Sequence, residues 1–149
     1  MNLKHGKYLG VDYGDKRTGI AECDISGTLA SGIGTLKESG MRHTAIRVAK
    51  EATERGAVKI VVGLPKNMDG SEGERAKTVR AFADILKEYT EIPIDFYDER
   101  MSTMLAYRYM DGTETFGKKR RDNIDTLSAE VILQSYLDKE RKDIKENAD

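Results

Sequence analysis

Tyr8-Leu9-Gly10-Val11-Asp12-Tyr13-Gly14-Asp15-Lys16-Arg17-Thr18-Gly19-Ile20-Ala21 is a strand, a tight turn and the start of a second strand. Leu9 and Val11 alternate with Gly10 and Asp12, the period of a pleated strand. Gly14 and Gly19 bracket a charged turn, where a positive φ is expected because glycine takes it without strain. Asp12 falls where an apolar strand leaves the core. A partly desolvated carboxylate there seeks a donor or a cation. Either it caps its own turn through the Gly14 N–H, or it belongs to a site that other parts of the chain complete.

Working outward, residues 18–24 and 30–36 continue as strands, and the short turns between them make an antiparallel meander with 7–12. Residues 41–55 form a helix, with Ala45, Ile46, Ala49 and Ala52 at helical spacing and Gly56 as its stop. Residues 59–63 are a buried strand, and a helix between two strands implies parallel pairing, here with 7–12. Pro65 opens a loop over 64–70. Ser71 and Glu74 then match a capping box, and the helix runs to about Tyr89 with Ala76, Val79, Phe82, Ala83 and Leu86 inward. Residues 94–97 are the last strand, ending at Asp98-Glu99-Arg100. Ser102 caps a short helix to Met110. Residues 111–122 form a loop with the basic run Lys118-Lys119-Arg120-Arg121, and a final helix covers 123–138. The order βββαβαβ gives an α/β fold: a mixed five-stranded sheet, three antiparallel strands then parallel strands, flanked by helices, with the first strand central beside the fourth. One domain spans 1–138, followed by a charged tail, 139–149, expected to fray.

Composition narrows the function. The 149 residues are 38% hydrophobic and 34% charged, with a formal net charge of −1, so nucleic-acid contact would have to come from local basic patches. Cys23 is the only cysteine, which excludes a disulfide and a cysteine-based zinc site. His5 and His43 are too few for a histidine-rich metal site. No apolar run approaches the roughly 20 residues that span a bilayer, and the N-terminus lacks a signal-peptide core. The expectation is a cytoplasmic protein with no membrane partner.

Three acidic positions fall where apolar elements end: Asp12, Glu99 with its neighbour Asp98, and Asp125 at the start of the final helix. Asp125, Ser128, Ala129, Ile132 and Tyr136 share one helix face, mostly apolar or small and therefore suited to pack on the sheet. Asp125 could simply offset the helix dipole, worth roughly 0.3–1 kcal/mol. Alternatively it meets Asp12 and Glu99 across the sheet end. Clustered carboxylates repel unless a cation neutralises them, and an all-oxygen ligand set suits Mg²⁺ or Mn²⁺.

The chain resembles the YqgF (RuvX) family of Holliday junction resolvase-like proteins in the ribonuclease H-like superfamily. The resemblance rests on Leu9-Gly10-Val11-Asp12-Tyr13-Gly14 with Arg17 and Gly19, Val62-Gly63-Leu64-Pro65, Asn67-Met68-Asp69-Gly70-Ser71-Glu72-Gly73, Asp98-Glu99-Arg100-Met101-Ser102-Thr103 and Ile124-Asp125-Thr126-Leu127-Ser128-Ala129. It runs from about Tyr8 to Asp138. The last motif more often has Ala where this chain has Ser128. RuvC-type resolvases carry an acid at the end of the fourth strand; here that place is Gly63-Leu64-Pro65, so the second carboxylate must be Glu99. The resemblance implies a ribonuclease H-like fold and a nuclease that hydrolyses RNA phosphodiesters in 5′-end maturation of pre-16S ribosomal RNA, placing structured RNA and ribosomal particles among its partners. It further implies a two-metal Mg²⁺ or Mn²⁺ site with Asp12 bridging, Glu99 and Asp125 each completing one metal, and Asp98 in reserve.

Substrate contacts are expected from Arg17 on the turn after Asp12, from Lys66 and Asn67 at the same sheet edge, and from the basic run Lys118, Lys119, Arg120 and Arg121. Arg100 either contacts phosphate or neutralises Asp98, and the second is favoured. Tyr13 either stacks a base or packs beside the sheet. The competing functions are a Holliday junction resolvase acting on branched DNA, which would need a two-fold dimer, and a non-catalytic ribosome-assembly factor. An actin-like ATPase would need a second lobe that 149 residues do not provide. Monomer and homodimer both remain open.

Overall fold

The computed structural model describes residues 5–101 and 118–147, with side chains in the last helix described from Thr126 onward. The elements are β1 (Lys7–Asp12), β2 (Thr18–Cys23), β3 (Ala30–Leu36), α1 (Met41–Glu54), β4 (Ala57–Leu64), α2 (Glu74–Leu86), β5 (Ile94–Asp98), a 3₁₀ turn (Glu99–Met101) and α3 (Lys118–Asn147). They build one five-stranded sheet in the order β3-β2-β1-β4-β5. β1 is central, antiparallel to β2 and parallel to β4, and β5 is parallel to β4. Val11 pairs with Val62, Gly63 with Tyr97 and Leu64 with Asp98. The C-terminal ends of β1, β4 and β5 therefore lie side by side.

Strand alternation sorts side chains onto two faces. Leu9, Val11, Tyr13, Ile60, Val62 and Leu64 pack with α1 and α2, and Ile94 and Phe96 join them. Tyr8, Val61 and Tyr97 pack instead with Ala129, Ile132, Leu133 and Leu137 of α3. That second face is lined with glycine where α3 crosses it. A Cβ built on Gly10 would stand 2.8 Å from Leu133 Cβ and 3.1 Å from the Ala129 carbonyl oxygen, and one on Gly32 would strike Thr126. The Thr35 and Thr126 hydroxyls meet at 3.0 Å. Without side chains beneath it the helix backbone approaches the sheet closely, which fixes its height and register.

The other half of α3 is held by polar contacts at the opposite end of the sheet. Glu140 accepts a hydrogen bond from Tyr8 at 2.9 Å and meets His5 at 2.7 Å, with the Lys59 ammonium 3.5 Å away. Lys59 also donates to the Tyr136 hydroxyl, which donates in turn to Asp95. Arg141 caps the carbonyls of Gly27 and Thr28. Burial raises the Glu140 carboxyl, but His5, Tyr8 and Lys59 outweigh it and hold it below the ordinary value. The helix runs past the expected end at Asp138 to Asn147, and these contacts pin it at Glu140 and Arg141.

Other local expectations are corrected. The basic run at 118–121 is helical backbone at the start of α3, not loop. Ile46 is exposed, and Thr44 and Val48 complete the buried face of α1. The capping box does not form: Gly73 is the N-cap of α2, while the Ser71 hydroxyl and N–H both go to Asp69. Gly14 and Gly19 do not take positive φ. Gly14 is needed for space, because a Cβ there would collide with the Arg17 carbonyl. The short helix expected after Ser102 lies outside the described residues. Among the described residues no helix is long and apolar enough to cross a membrane.

Candidate functional site

Asp12 is the last residue of β1. Gly10 faces α3, so alternation turns Asp12 to the same face. The turn that follows is closed by other groups. The Gly14 N–H donates to the Thr18 hydroxyl at 3.3 Å, and that hydroxyl reaches back to the Gly14 carbonyl. From α2, Arg75 donates to the Tyr13 carbonyl. The amide expected to be capped by Asp12 is therefore taken by Thr18. Tyr13 is buried and stacks on Phe82 with ring centroids 4.3 Å apart, so it packs in the core and does not present its ring to a base.

The two acids at the end of β5 separate onto opposite faces: Asp98 closes the strand and Glu99 follows it. Asp98 continues the parity of Ile94 and Phe96, toward the α2 side. There Arg100 grips it, Nη2 to Oδ2 at 2.7 Å and Nε to Oδ1 at 3.1 Å. This guanidinium holds the Asp98 carboxyl below its usual range. Glu99 begins the 3₁₀ turn, is 7% exposed, and lies on the α3 face: its Oε2 is 3.1 Å from where a Cβ on Gly63 would stand, beside Ile132. Gly63 follows Val62 and is therefore the β4 neighbour of Asp12 in parallel register. The missing side chain in β4 thus leaves room for Ile132 and lets the Glu99 carboxylate lie close over the strand.

The side chain of Asp125 lies outside the described ones, but its backbone is in α3. Ala129 crosses Gly10 and Tyr136 neighbours Tyr8, so α3 runs antiparallel to β1. One turn before Ala129, Asp125 is carried from the level of Gly10 toward that of Asp12. The residues fit a hard divalent cation: the donors are carboxylate oxygens, and one is a buried acid held over a glycine. Among the described side chains no three acidic, histidine or cysteine groups form a cluster; the third member of the expected set is Asp125.

Of the expected substrate contacts, Arg17 is half-buried on the turn after Asp12. Lys66 adds its charge to the Arg80 pairing that lowers the Glu72 carboxyl and to the Arg100 pairing that lowers Asp98. Asn67 is exposed and shapes its loop: its amide donates to the Ser71 hydroxyl at 3.0 Å, and its backbone pairs with Ser71 and Gly70. Arg100 is engaged by Asp98 and by the Met68 carbonyl. The side chains of Lys118, Lys119, Arg120 and Arg121 lie outside the described ones. Sequence reasoning missed Arg75, whose partner is a backbone atom in a distant turn, and the role of Gly63, whose signal was a glycine inside the buried run 60–64.

The family model for RuvX, described as Holliday junction resolvase, matches residues 6–139. A protein of Caldanaerobacter subterraneus subsp. tengcongensis named "Putative pre-16S rRNA nuclease" is 40% identical over 136 residues, 91% of this chain and 98% of that protein. One of the same name from Clostridioides difficile is 39% identical, over 89% of this chain and 94% of the relative. In fold, the chain is similar to Thermus thermophilus RuvC solved with a Holliday junction substrate, at a TM-score of 0.58 and 14% identity over 89% of this chain and 94% of that one. The fold is thus ribonuclease H-like, and with the match spanning the strand that ends in Asp12, the turn bearing Glu99 and the helix bearing Asp125, the chain belongs to the RuvX (YqgF) family of nucleases.

Proposed function

We propose that this protein is a metal-dependent nuclease that hydrolyses RNA phosphodiesters in 5′-end maturation of pre-16S ribosomal RNA. The observation that carries the reading is the placement of Glu99 over Gly63, on the face and at the sheet end to which alternation turns Asp12. Relatives at 39–40% identity bear the name of this activity. Asp12, Glu99 and Asp125 would hold Mg²⁺ or Mn²⁺. When bound, such cations supply Lewis acidity for activating water and for stabilising charge on the phosphate oxygens.

The chain's own contribution is placement. Thr18 and Arg75 fix the turn beyond Asp12, so that carboxylate faces the site with little conformational freedom. Glu99 is held against Gly63 and Ile132, away from bulk water, where a carboxylate acts more strongly on a nearby charge. Arg17, Lys66 and the basic start of α3 supply positive charge for backbone phosphates. Asp98 is bound by Arg100, which leaves Glu99 as the acid for the site.

The test is cleavage of a precursor RNA spanning the 16S 5′ boundary, with and without Mn²⁺, by the parent and by Asp12→Asn, Glu99→Gln and Asp125→Asn. Metal-dependent cutting by the parent should fall at least ~100-fold in each variant. Asp125→Asn should melt at an equal or higher temperature in metal-free buffer, because one of three repelling carboxylates is gone. Cutting of a four-way DNA junction in preference to the RNA would assign the site to junction resolution. No metal-dependent cutting of either would refute the proposal.

A further inference from the structure

The sequence Asp98-Glu99-Arg100 places an ion pair on both sides of the candidate ligand. The Arg100 N–H donates to Asp98 Oδ1 at 3.0 Å, which closes the turn. The Arg100 guanidinium then clasps both oxygens of the same carboxylate, through Nε at 3.1 Å to each and Nη2 at 2.7 Å to Oδ2. A third arm, Nη1, donates to the Met68 carbonyl and lies 3.3 Å from where a Cβ on Gly70 would stand. Gly70 has a φ of +90°, so a side chain at that crossing would meet both backbone strain and the guanidinium. The clasp lies on the α2 side of the sheet, where Phe96 packs, and Glu99 lies on the α3 side over Gly63.

Resting on the proposed metal site, we infer that the Asp98–Arg100 clasp is a positioning device: it ties the turn after β5 to the Met68–Gly70 loop and so holds Glu99 on the opposite face. Arg100 acts through Glu99 and not on the substrate. A planar fork on a carboxylate defines direction as well as distance, which a lysine in its place would not. With both flanking residues clasped to each other, the backbone at Glu99 is held in the turn, and its side chain leaves from there toward Gly63. The alternatives make different predictions. If Arg100 gripped phosphate, its loss would raise KM and flatten the salt dependence of RNA binding. If Asp98 were itself a ligand, removing the neighbouring cation would tighten metal binding.

The experiment is the double variant Asp98→Asn with Arg100→Gln, which removes one charge of each sign and leaves the net charge unchanged. The amide oxygen introduced by Asp98→Asn still accepts from the backbone N–H two residues on, so the turn is retained and the fork is lost. Mn²⁺ alone is titrated calorimetrically into parent and variants, and kcat and KM for RNA are measured beside it. The double variant should bind Mn²⁺ at least ~10-fold more weakly, the scale on which groups that orient metal ligands act, and lose kcat by a similar factor, with KM and the salt slope unchanged. Arg100→Lys should not restore either, and it carries the test should the double variant fail to fold. Parental Mn²⁺ affinity and kcat in the double variant or in Arg100→Lys would overturn the inference. So would a raised KM with a flattened salt slope in Arg100→Gln, or tighter Mn²⁺ binding in that variant paired with lost binding in Asp98→Asn. A parent that neither binds Mn²⁺ nor cuts RNA would overturn the proposed function, and this inference with it.

Discussion

Gly63→Ala tests the packing that places Glu99. The new methyl would stand 2.5 Å from Ile132 Cδ1, 3.2 Å from Ile132 Cγ1 and 3.1 Å from Glu99 Oε2. Ile132 is fully buried, so it can move only by displacing its neighbours. Overpacking of this kind costs about 1–3 kcal/mol. Replacing glycine also restricts the unfolded chain, which returns about 0.4–1 kcal/mol. The two ranges leave a net loss of about 0–2.6 kcal/mol, centred on about 1.3 kcal/mol, a factor of roughly 10 in the folded-to-unfolded ratio. Urea unfolding at constant m-value would measure it. Ile132→Val removes the Cδ1 atom and alone should cost about 0.5–1.5 kcal/mol. Added to Gly63→Ala it should cost less than that, or restore stability, because it relieves the nearest clash. The Glu99 contact persists in the double variant, so Mn²⁺ affinity should stay below the parent's even where stability recovers. A Gly63→Ala protein with parental stability and Mn²⁺ affinity would refute the reasoning, as would additive costs in the double variant.

Replacing Lys118, Lys119, Arg120 and Arg121 together with Ala should weaken RNA binding and reduce the magnitude of the salt slope by about 0.7–0.9 for each phosphate that is no longer neutralised; an unchanged slope in a salt titration would assign the run to solvent. Glu140→Gln should cost about 1–3 kcal/mol at neutral pH, since hydrogen bonds to a charged group are weakened, here those from His5 and Tyr8, and the Lys59 ion pair is removed. Because the folded state holds this carboxyl below its ordinary value of 4.5, its contribution is complete above that value and is lost as pH falls through the lower, folded one. Urea midpoints of parent and Glu140→Gln should therefore differ by a constant amount near neutrality and converge in acid, with a constant gap at all pH values refuting the assignment.

Local rules read the sheet well because its determinants are local. The period-2 runs ending at Asp12 and at Leu36 set the bounds of β1 and β3 as observed, and the inward residues of α2 follow from a 3.6-residue period alone. Where the reading failed, a competing or distant partner intervened. Ser71 has the right spacing to cap α2, but Asp69 lies two residues away and takes both its N–H and its hydroxyl, so a tighter turn displaces the capping box. The last third of α3 is too polar to announce a packed face. Its order comes from Tyr8, Lys59 and the Gly27–Thr28 turn, all distant in the chain.

The preference for Glu99 over Asp98 rests on resemblance to a family, and the physical reason for it lies in the topology. Asp98 ends β5 and Glu99 follows it, so alternation sends them to opposite faces whichever face matters. Spacing does not say which face that is; α3 covers the side bearing Tyr97 and Gly63, a fact of topology. Yet a trace of it lies in Val61-Val62-Gly63-Leu64. A glycine in the interior of a buried strand weakens that strand unless another group requires its space. Here two groups require it: Ile132 from the helix, and the carboxylate of Glu99. A Cβ at 63 would stand 2.5 Å from Ile132 Cδ1 and 3.1 Å from Glu99 Oε2, so a side chain there would crowd the carboxylate at 99 as well as the helix. The glycine at 63 therefore serves the packing of α3 and the placing of Glu99 together.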